Sequence, residues 1–259
     1  MTTNIVGIDC ASDPSNVGLA LGEFSDGRGV VGRVEVGSVK RTPLDTVANW
    51  LQERPGPTLL ALDAPLGWPA PLAHALQSHA AGEAFDVEAH DLFRRETDRY
   101  IRRVIGKQSL DVGADRIART AFAALELLAG LRRRLDCHIP LAWDAKLSGT
   151  QAIEVYPVAT LIAHGIDPTG YKSKTGESER RRVLDAVRSL VTIETEIPGI
   201  SKASDGLDAA ICALAACDFL SGMALSPKEG WPVGREGWVW FRDPNAQQVH
   251  AADARTSRG

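Results

Sequence analysis

Asn4–Ala11 reads N-I-V-G-I-D-C-A. Ile5 to Ile8 are apolar or glycine, and the run stops on a carboxylate, Asp9. After a short Asp-Pro-Ser-Asn turn comes a second apolar stretch, Val17–Phe24, V-G-L-A-L-G-E-F. The pattern is a buried strand that carries one acid to its end and is followed at once by a hairpin partner. An acid in that position invites one question of the remaining chain: do other acids arrive where Asp9 ends?

Working outward, strands are expected over Ile5–Cys10, Val17–Phe24 and Val30–Val39, with Gly27 and Gly29 marking the turn before the third. These three make an antiparallel meander. Pro43–Glu53 reads as a helix, with Thr42 as its cap, Pro43 at its first position, and Leu44, Val47, Ala48 and Leu51 on one face. Thr58–Ala64, T-L-L-A-L-D-A, is a second near-continuous apolar run ending on an aspartate, Asp63, and is broken by Pro65 and Gly67. Such a run suits a central strand covered on both faces. The order strand, strand, strand, helix, strand is that of the ribonuclease-H-like fold. If the first and fourth strands lie side by side and parallel, Asp9 and Asp63 meet at one sheet edge.

Residues 67–150 read as a mostly helical insertion that caps one end of the sheet, with helical apolar spacing over Pro71–Ala81 and Val112–Leu135 and a charged stretch, F-R-R-E-T-D-R-Y-I-R-R, at Phe93–Arg103. A short strand is expected at Ala152–Tyr156 and a short helix at Val158–His164. A polar loop follows over Pro168–Glu177, then helices at Ser178–Leu190 and Ser201–Ser221 and a closing strand at Gly237–Phe241. The expected fold class is α/β: a ribonuclease-H-like mixed sheet with flanking helices and a helical insertion. One domain is expected over residues 1–243, followed by a polar tail, 244–259, expected to be disordered.

Composition narrows the partners. With 259 residues and 44% hydrophobic content the chain can bury a full core without disulfides or a structural metal. A net charge of −4 gives no global attraction for nucleic acid, so any such contact needs a local basic patch. Cys10, Cys137, Cys212 and Cys217 show no C-x-x-C spacing and read as small buried hydrophobes in a reducing compartment. There is no basic-then-apolar leader and no run of roughly 20 apolar residues, so a cytoplasmic protein without a membrane span is expected.

The third arrival of acids is at Asp205 and Asp208. Three residues apart, they share one face of a helix whose other residues, including Ala203, Leu207, Ala210, Ile211 and Leu214, are nearly all apolar. They read either as acids favoured by the positive start of a helix capped by Ser204, or as ligands, since buried carboxylates need a cation, a base or solvent. Asp9, Asp63, Asp205 and Asp208 together form a set of hard oxygen ligands suited to Mg2+ or Mn2+. Two such ions about 4 Å apart can activate a water and stabilise a leaving oxygen in phosphodiester hydrolysis. No G-x-x-x-x-G-K-[ST] loop occurs, and no G-x-G-x-x-G follows the first strand.

Five stretches then carry a family resemblance: G-I-D-C-A (Gly7–Ala11), L-D-A-P-L-G (Leu62–Gly67), R-E-T-D-R (Arg95–Arg99), E-V-Y-P (Glu154–Pro157) and S-D-G-L-D-A-A (Ser204–Ala210). In their order and spread the chain resembles the domain-of-unknown-function 429 family, grouped with predicted ribonuclease-H-like nucleases. The resemblance implies a ribonuclease-H-like fold, a metal-dependent nuclease and a nucleic-acid partner. The acids are placed as in Holliday-junction resolvases, with Asp63 standing where those enzymes carry a glutamate.

Around this set, Glu154 reads either as a further ligand or neighbour of the acids, or as an acid paired with an arginine. Arg95 reads as a fork for a phosphate with Asp98 orienting it, or as part of a solvated charged face. Lys172 and Lys174 read as contacts to a nucleic-acid backbone, or as an exposed loop. The runs Arg132–Arg134 and Arg180–Arg182 read as solvated faces, and Trp231, Trp238 and Trp240 as core anchors. Two other classes stay open. One is an ATP-binding phosphotransferase of the sugar-kinase or actin-like type, whose first hairpin also reads like G-I-D-C-A-S. The other is a non-catalytic ribonuclease-H-like binding protein. The chain holds one copy of the unit that such ATPases usually duplicate. The sequence leaves the oligomeric state open.

Overall fold

A computed structural model of the chain describes residues 2–113 and 115–246. Strands β1 (Thr3–Asp9), β2 (Gly18–Ser25) and β3 (Arg28–Val36) form the meander, and helix α1 (Pro43–Glu53) leads to β4 (Thr58–Asp63). Thr42 caps α1 by accepting from the Asp45 N–H. Helices α2 (Ala70–Gln77), α3 (Ala89–Phe93), α4 (Glu96–Ile105) and α5 (Asp115–Leu135) make up the insertion. Then follow β5 (Thr150–Glu154), α6 (Pro157–Ala163), α7 (Glu177–Arg188), β6 (Thr192–Ile193), α8 (Asp205–Leu220) and α9 (Val233–Glu236).

The sheet order is β5-β4-β1-β2-β3-β6. β2 is antiparallel to both β1 and β3, whereas β4 is parallel to β1 and to β5. A meander extended on its first strand by two parallel strands is the ribonuclease-H-like mixed sheet. Three elements depart from the sequence reading, the first being α9, a single turn that no pattern marked. β6 adds a parallel edge of only two residues to β3, too short to carry a period of its own. Gly237–Phe241 is not a strand: Val239 makes a single parallel bridge to Glu154, and the Trp240 N–H donates to the Glu154 carbonyl. Its apolar residues serve packing instead, since Trp238, Val239, Trp240 and Phe241 are all buried. Of the tail expected at 244–259, residues 247–259 lie outside the described residues.

Successive strand residues point to opposite faces, and here the alternation sorts the core in two. Ile5 and Ala20, with Leu59, Ala61 and Ile153, face the layer containing α6, α7 and α8. Val6, Ile8, Leu19, Leu21, Leu60 and Leu62 face α1 and α5, meeting Val47, Trp50, Leu128 and Leu131. Helix α8 is buried continuously from Gly206 to Phe219. It lies so close to the sheet that a Cβ on Gly7 would sit 2.1 Å from the Ala209 carbonyl oxygen, and one on Gly18 would sit 1.9 Å from that of Asp205. Glycine at these two positions sets the height of α8 over β1 and β2. Cys212 and Cys217 are buried as expected, but Cys137 is exposed and Cys10 only half-buried. Among the described residues no helix is long and apolar enough to cross a membrane.

Candidate functional site

Parity decides which acids meet. Asp9 follows Ile5 and Gly7, and Asp63 follows Leu59 and Ala61, so both continue the rows that face α8. The two strands are parallel and in register, with Asp9 directly beside Asp63. Asp9 also pairs with Gly18, the residue over which the Asp205 carbonyl lies, so the first turn of α8 sits at the acidic ends of the strands. Asp208, on that turn, is buried. Burial, followed by the charges of Asp208 and Asp63, holds the Asp9 carboxyl well above its ordinary range. Burial likewise lifts Asp63 to about 7; Lys172 opposes the shift, and Asp208 and Glu154 add to it. Asp205 is half-buried at the rim, raised by burial and then by Asp208.

Asp208 has partners on both oxygens. Its Oδ1 accepts from the Tyr171 hydroxyl at 2.6 Å, and its Oδ2 lies 3.1 Å from the Lys172 ammonium. Lys172 Nζ is also 4.0 Å from Asp63 Oδ2. Burial works against the charge on Lys172, but Asp208, Asp63 and Asp9 outweigh it and hold its pKa above the usual lysine range. Among the described residues no three His, Cys, Asp or Glu side chains converge into a metal-holding group. The cation these acids hold is an ammonium. In kind, the carboxylate oxygens fit a hard divalent ion; in charge, several acids share one lysine.

The loop bearing Tyr171 and Lys172 is held by Arg180, which was expected on a solvated face and is instead fully buried. Its Nη1 donates to the carbonyls of Tyr171 (3.0 Å) and Ser173 (2.7 Å), on either side of Lys172. Its Nε and Nη2 donate to the Ile200 and Ser201 carbonyls, just ahead of α8. The correction was available in the sequence, because Arg180 shares a helical face with Val183, Leu184 and Val187, all buried. Lys174 is exposed and forms no ion pair among the described residues.

Glu154 and Arg95 form a separate unit. Glu154 shares parity with Ala152, which packs in the other core, so its carboxylate leaves β5 away from the row of Asp9 and Asp63. Arg95 meets it with two bonds, Nη1 to Oε2 at 2.8 Å and Nη2 to Oε1 at 2.7 Å. Asp98 takes two more, from Nε at 3.0 Å and Nη2 at 3.1 Å, and the Glu236 carbonyl takes the fifth at 3.0 Å. All five donors of the guanidinium are thus spent within the protein. The fork expected to face a phosphate is turned onto Glu154 and Asp98, and Glu154 is the acid paired with an arginine. Burial raises the Glu154 carboxyl even so, with Arg95 opposing. This unit ties the start of α4 to the end of β5. A cavity of about 320 Å3 separates it from the acids, lined by Asp9, Asp63, Arg95, Asp98, Tyr156 and Lys172 among others. Tyr156 and Tyr171 are site residues that the sequence reading missed. Only adjacency to Glu154 and Lys172 marked them, since a tyrosine has no strand or helix period of its own.

No curated protein matches the chain. Among solved structures, T. thermophilus RuvC in complex with a Holliday junction substrate aligns with 85% of this chain and 96% of its own, at 13% identity and a TM-score of 0.38. The strand order and register above, rather than that likeness, carry the fold assignment. Residues 7–229, which include all four aspartates and the insertion, match the family described as "Protein of unknown function (DUF429)", and the chain belongs to that family.

Proposed function

We propose that the protein is a divalent-metal-dependent nuclease that hydrolyses phosphodiester bonds at Asp9, Asp63, Asp205 and Asp208. The observation that supports this most is the in-register pairing of Asp9 with Asp63 beneath the first turn of α8, which carries Asp208. Burial first, and then the charge of Asp208, raises the pKa of both Asp9 and Asp63, so the site gains from added positive charge.

Asp9, Asp63 and Asp208, which do not converge into a metal-holding group on their own, would hold Mg2+ or Mn2+ once drawn together by its charge, with Asp205 at the rim. When bound, the ion supplies a Lewis acid for the phosphoryl oxygen and lowers the pKa of a water. Tyr171 fixes the rotation of Asp208 by donating to one of its oxygens. Lys172 supplies the positive charge beside the acids that a phosphate needs. Arg95 and Glu154 stay out of the chemistry and fix the far wall of the cavity.

The test is cleavage of labelled single- and double-stranded DNA and RNA with Mg2+, Mn2+ or EDTA, alongside thermal melts. Metal-dependent cleavage and a metal-dependent rise in melting temperature are expected. Absence of both, with ATP alone raising the melting temperature, would replace this reading with a nucleotide-binding one.

A further inference from the structure

Lys172 is placed unlike the other lysines. It faces two buried or half-buried acids, at 3.1 Å from Asp208 and 4.0 Å from Asp63. Its backbone is clamped, because the carbonyls before and after it are both bonded to Arg180. Its side chain is 45% exposed and is held at its tip, where the ammonium meets Asp208, Asp63 and the face of the Tyr171 ring. The anchor is therefore rigid, and the ammonium at the end of a flexible stem can turn from the acids toward solvent or toward a bound anion.

A divalent ion ligated by the Oδ2 atoms of Asp63 and Asp208 would stand within a few ångströms of the ammonium that already faces them. Like charges that close repel, so the lysine lowers the ion's affinity while it stays beside the acids. A phosphate beside the acids offers the released ammonium a new partner. Resting on the nuclease reading above, we propose that Lys172 is the resident counter-ion of Asp63 and Asp208. A divalent ion displaces it, and the freed ammonium takes up the substrate phosphate, so that metal and phosphodiester bind cooperatively. The lysine then disfavours a metal-loaded site that lacks substrate and favours one that has it. Linkage requires each ligand to strengthen the other by the same factor.

The experiment is calorimetric titration of Mn2+ into the full chain, as wild type, Lys172→Met and Lys172→Arg. Each is titrated alone and with a phosphorothioate-linked oligonucleotide. Lys172→Met should bind Mn2+ about fivefold more tightly than wild type, the scale of a partly exposed ion pair. Lys172→Arg, which keeps the charge, should stay close to wild type. The oligonucleotide should tighten Mn2+ binding to wild type and do so little or not at all in Lys172→Met. As an independent readout, acylation of Lys172, followed by mass spectrometry on the wild type, should speed up when Mn2+ is added. Equal Mn2+ affinity in wild type and Lys172→Met, or equal tightening by the oligonucleotide in both, overturns the inference and leaves the nuclease reading standing. Failure of all three proteins to bind Mn2+ overturns both.

Discussion

Asp63 is the residue whose ionisation ties the site to folding. Its ordinary carboxylate pKa is 3.8, and in the folded chain it lies at about 7. Between these values the folded state keeps a proton that the unfolded state releases. Without metal, stability is therefore fully present below the lower value and falls as pH rises through the window from about 4 to about 7. Asp9 shifts in the same direction for the same first reason, burial. Melts in EDTA should show a declining melting temperature across that window. Asp63→Asn should flatten the slope, and an equally steep pH dependence in wild type and Asp63→Asn would contradict the assignment. Asp9→Asn removes one negative charge and keeps the shape. It should weaken stabilisation by Mn2+ and reduce phosphodiester cleavage to background, read by melts and by the assays above.

At the scale of elements, two contacts hold the site in shape. The first is α8 on β1 and β2. A methyl group at Gly7 would collide with helix backbone, which cannot swing aside as a side-chain tip can. Gly7→Ala should cost about 1–3 kcal/mol, the usual range for overpacking, measured by denaturant unfolding. The same change should weaken Mn2+ binding, because lifting α8 carries Asp208 from Asp9 and Asp63. The second contact is α4 on β5 through Arg95, buried between Asp98 and Glu154. Removing one partner of a buried pair leaves charge uncompensated, so Arg95→Met should cost about 3–5 kcal/mol. Arg95→Met combined with Asp98→Asn and Glu154→Gln should recover part of that loss. If the triple variant is no more stable than Arg95→Met, packing of the arginine rather than its charge holds the insertion.

Across the whole molecule, the acids come from three separate segments: the ends of β1 and β4 and the start of α8. A ligand that binds only the folded arrangement stabilises all three at once. Hydrogen exchange should therefore slow together at residues 7–10, 61–64 and 205–209 when Mn2+ is added. Protection confined to one segment would mean that the ion is held on the surface and not between the segments. The insertion bears on the same geometry. Its α5 packs on α1 through the core behind the sheet, while its α4 closes the cavity in front of Asp9 and Asp63.

Asp9 and Asp63 were legible from sequence because each ends an apolar run. A strand alternates with a strict period, so a terminal acid has one of only two faces to choose from. Asp205 and Asp208 were legible for the same kind of reason, as acids at helical spacing in an otherwise apolar helix. What those patterns could not contain was pairing between distant residues. Arg95 matched a phosphate fork as well as it matches the two carboxylates it meets, because a guanidinium satisfies either one with the same donors. Glu154 stood at the end of a strand like Asp9 and Asp63, but one position of parity sends it to the opposite row. Lys172 lay in an exposed polar loop with no period at all. Only the folding of that loop over α8, clamped by a buried Arg180, brings its ammonium to Asp208. Period and polarity are local properties, and the chain alone displays them. Which charge neutralises which is settled by contacts between segments, and those exist only once the chain is folded.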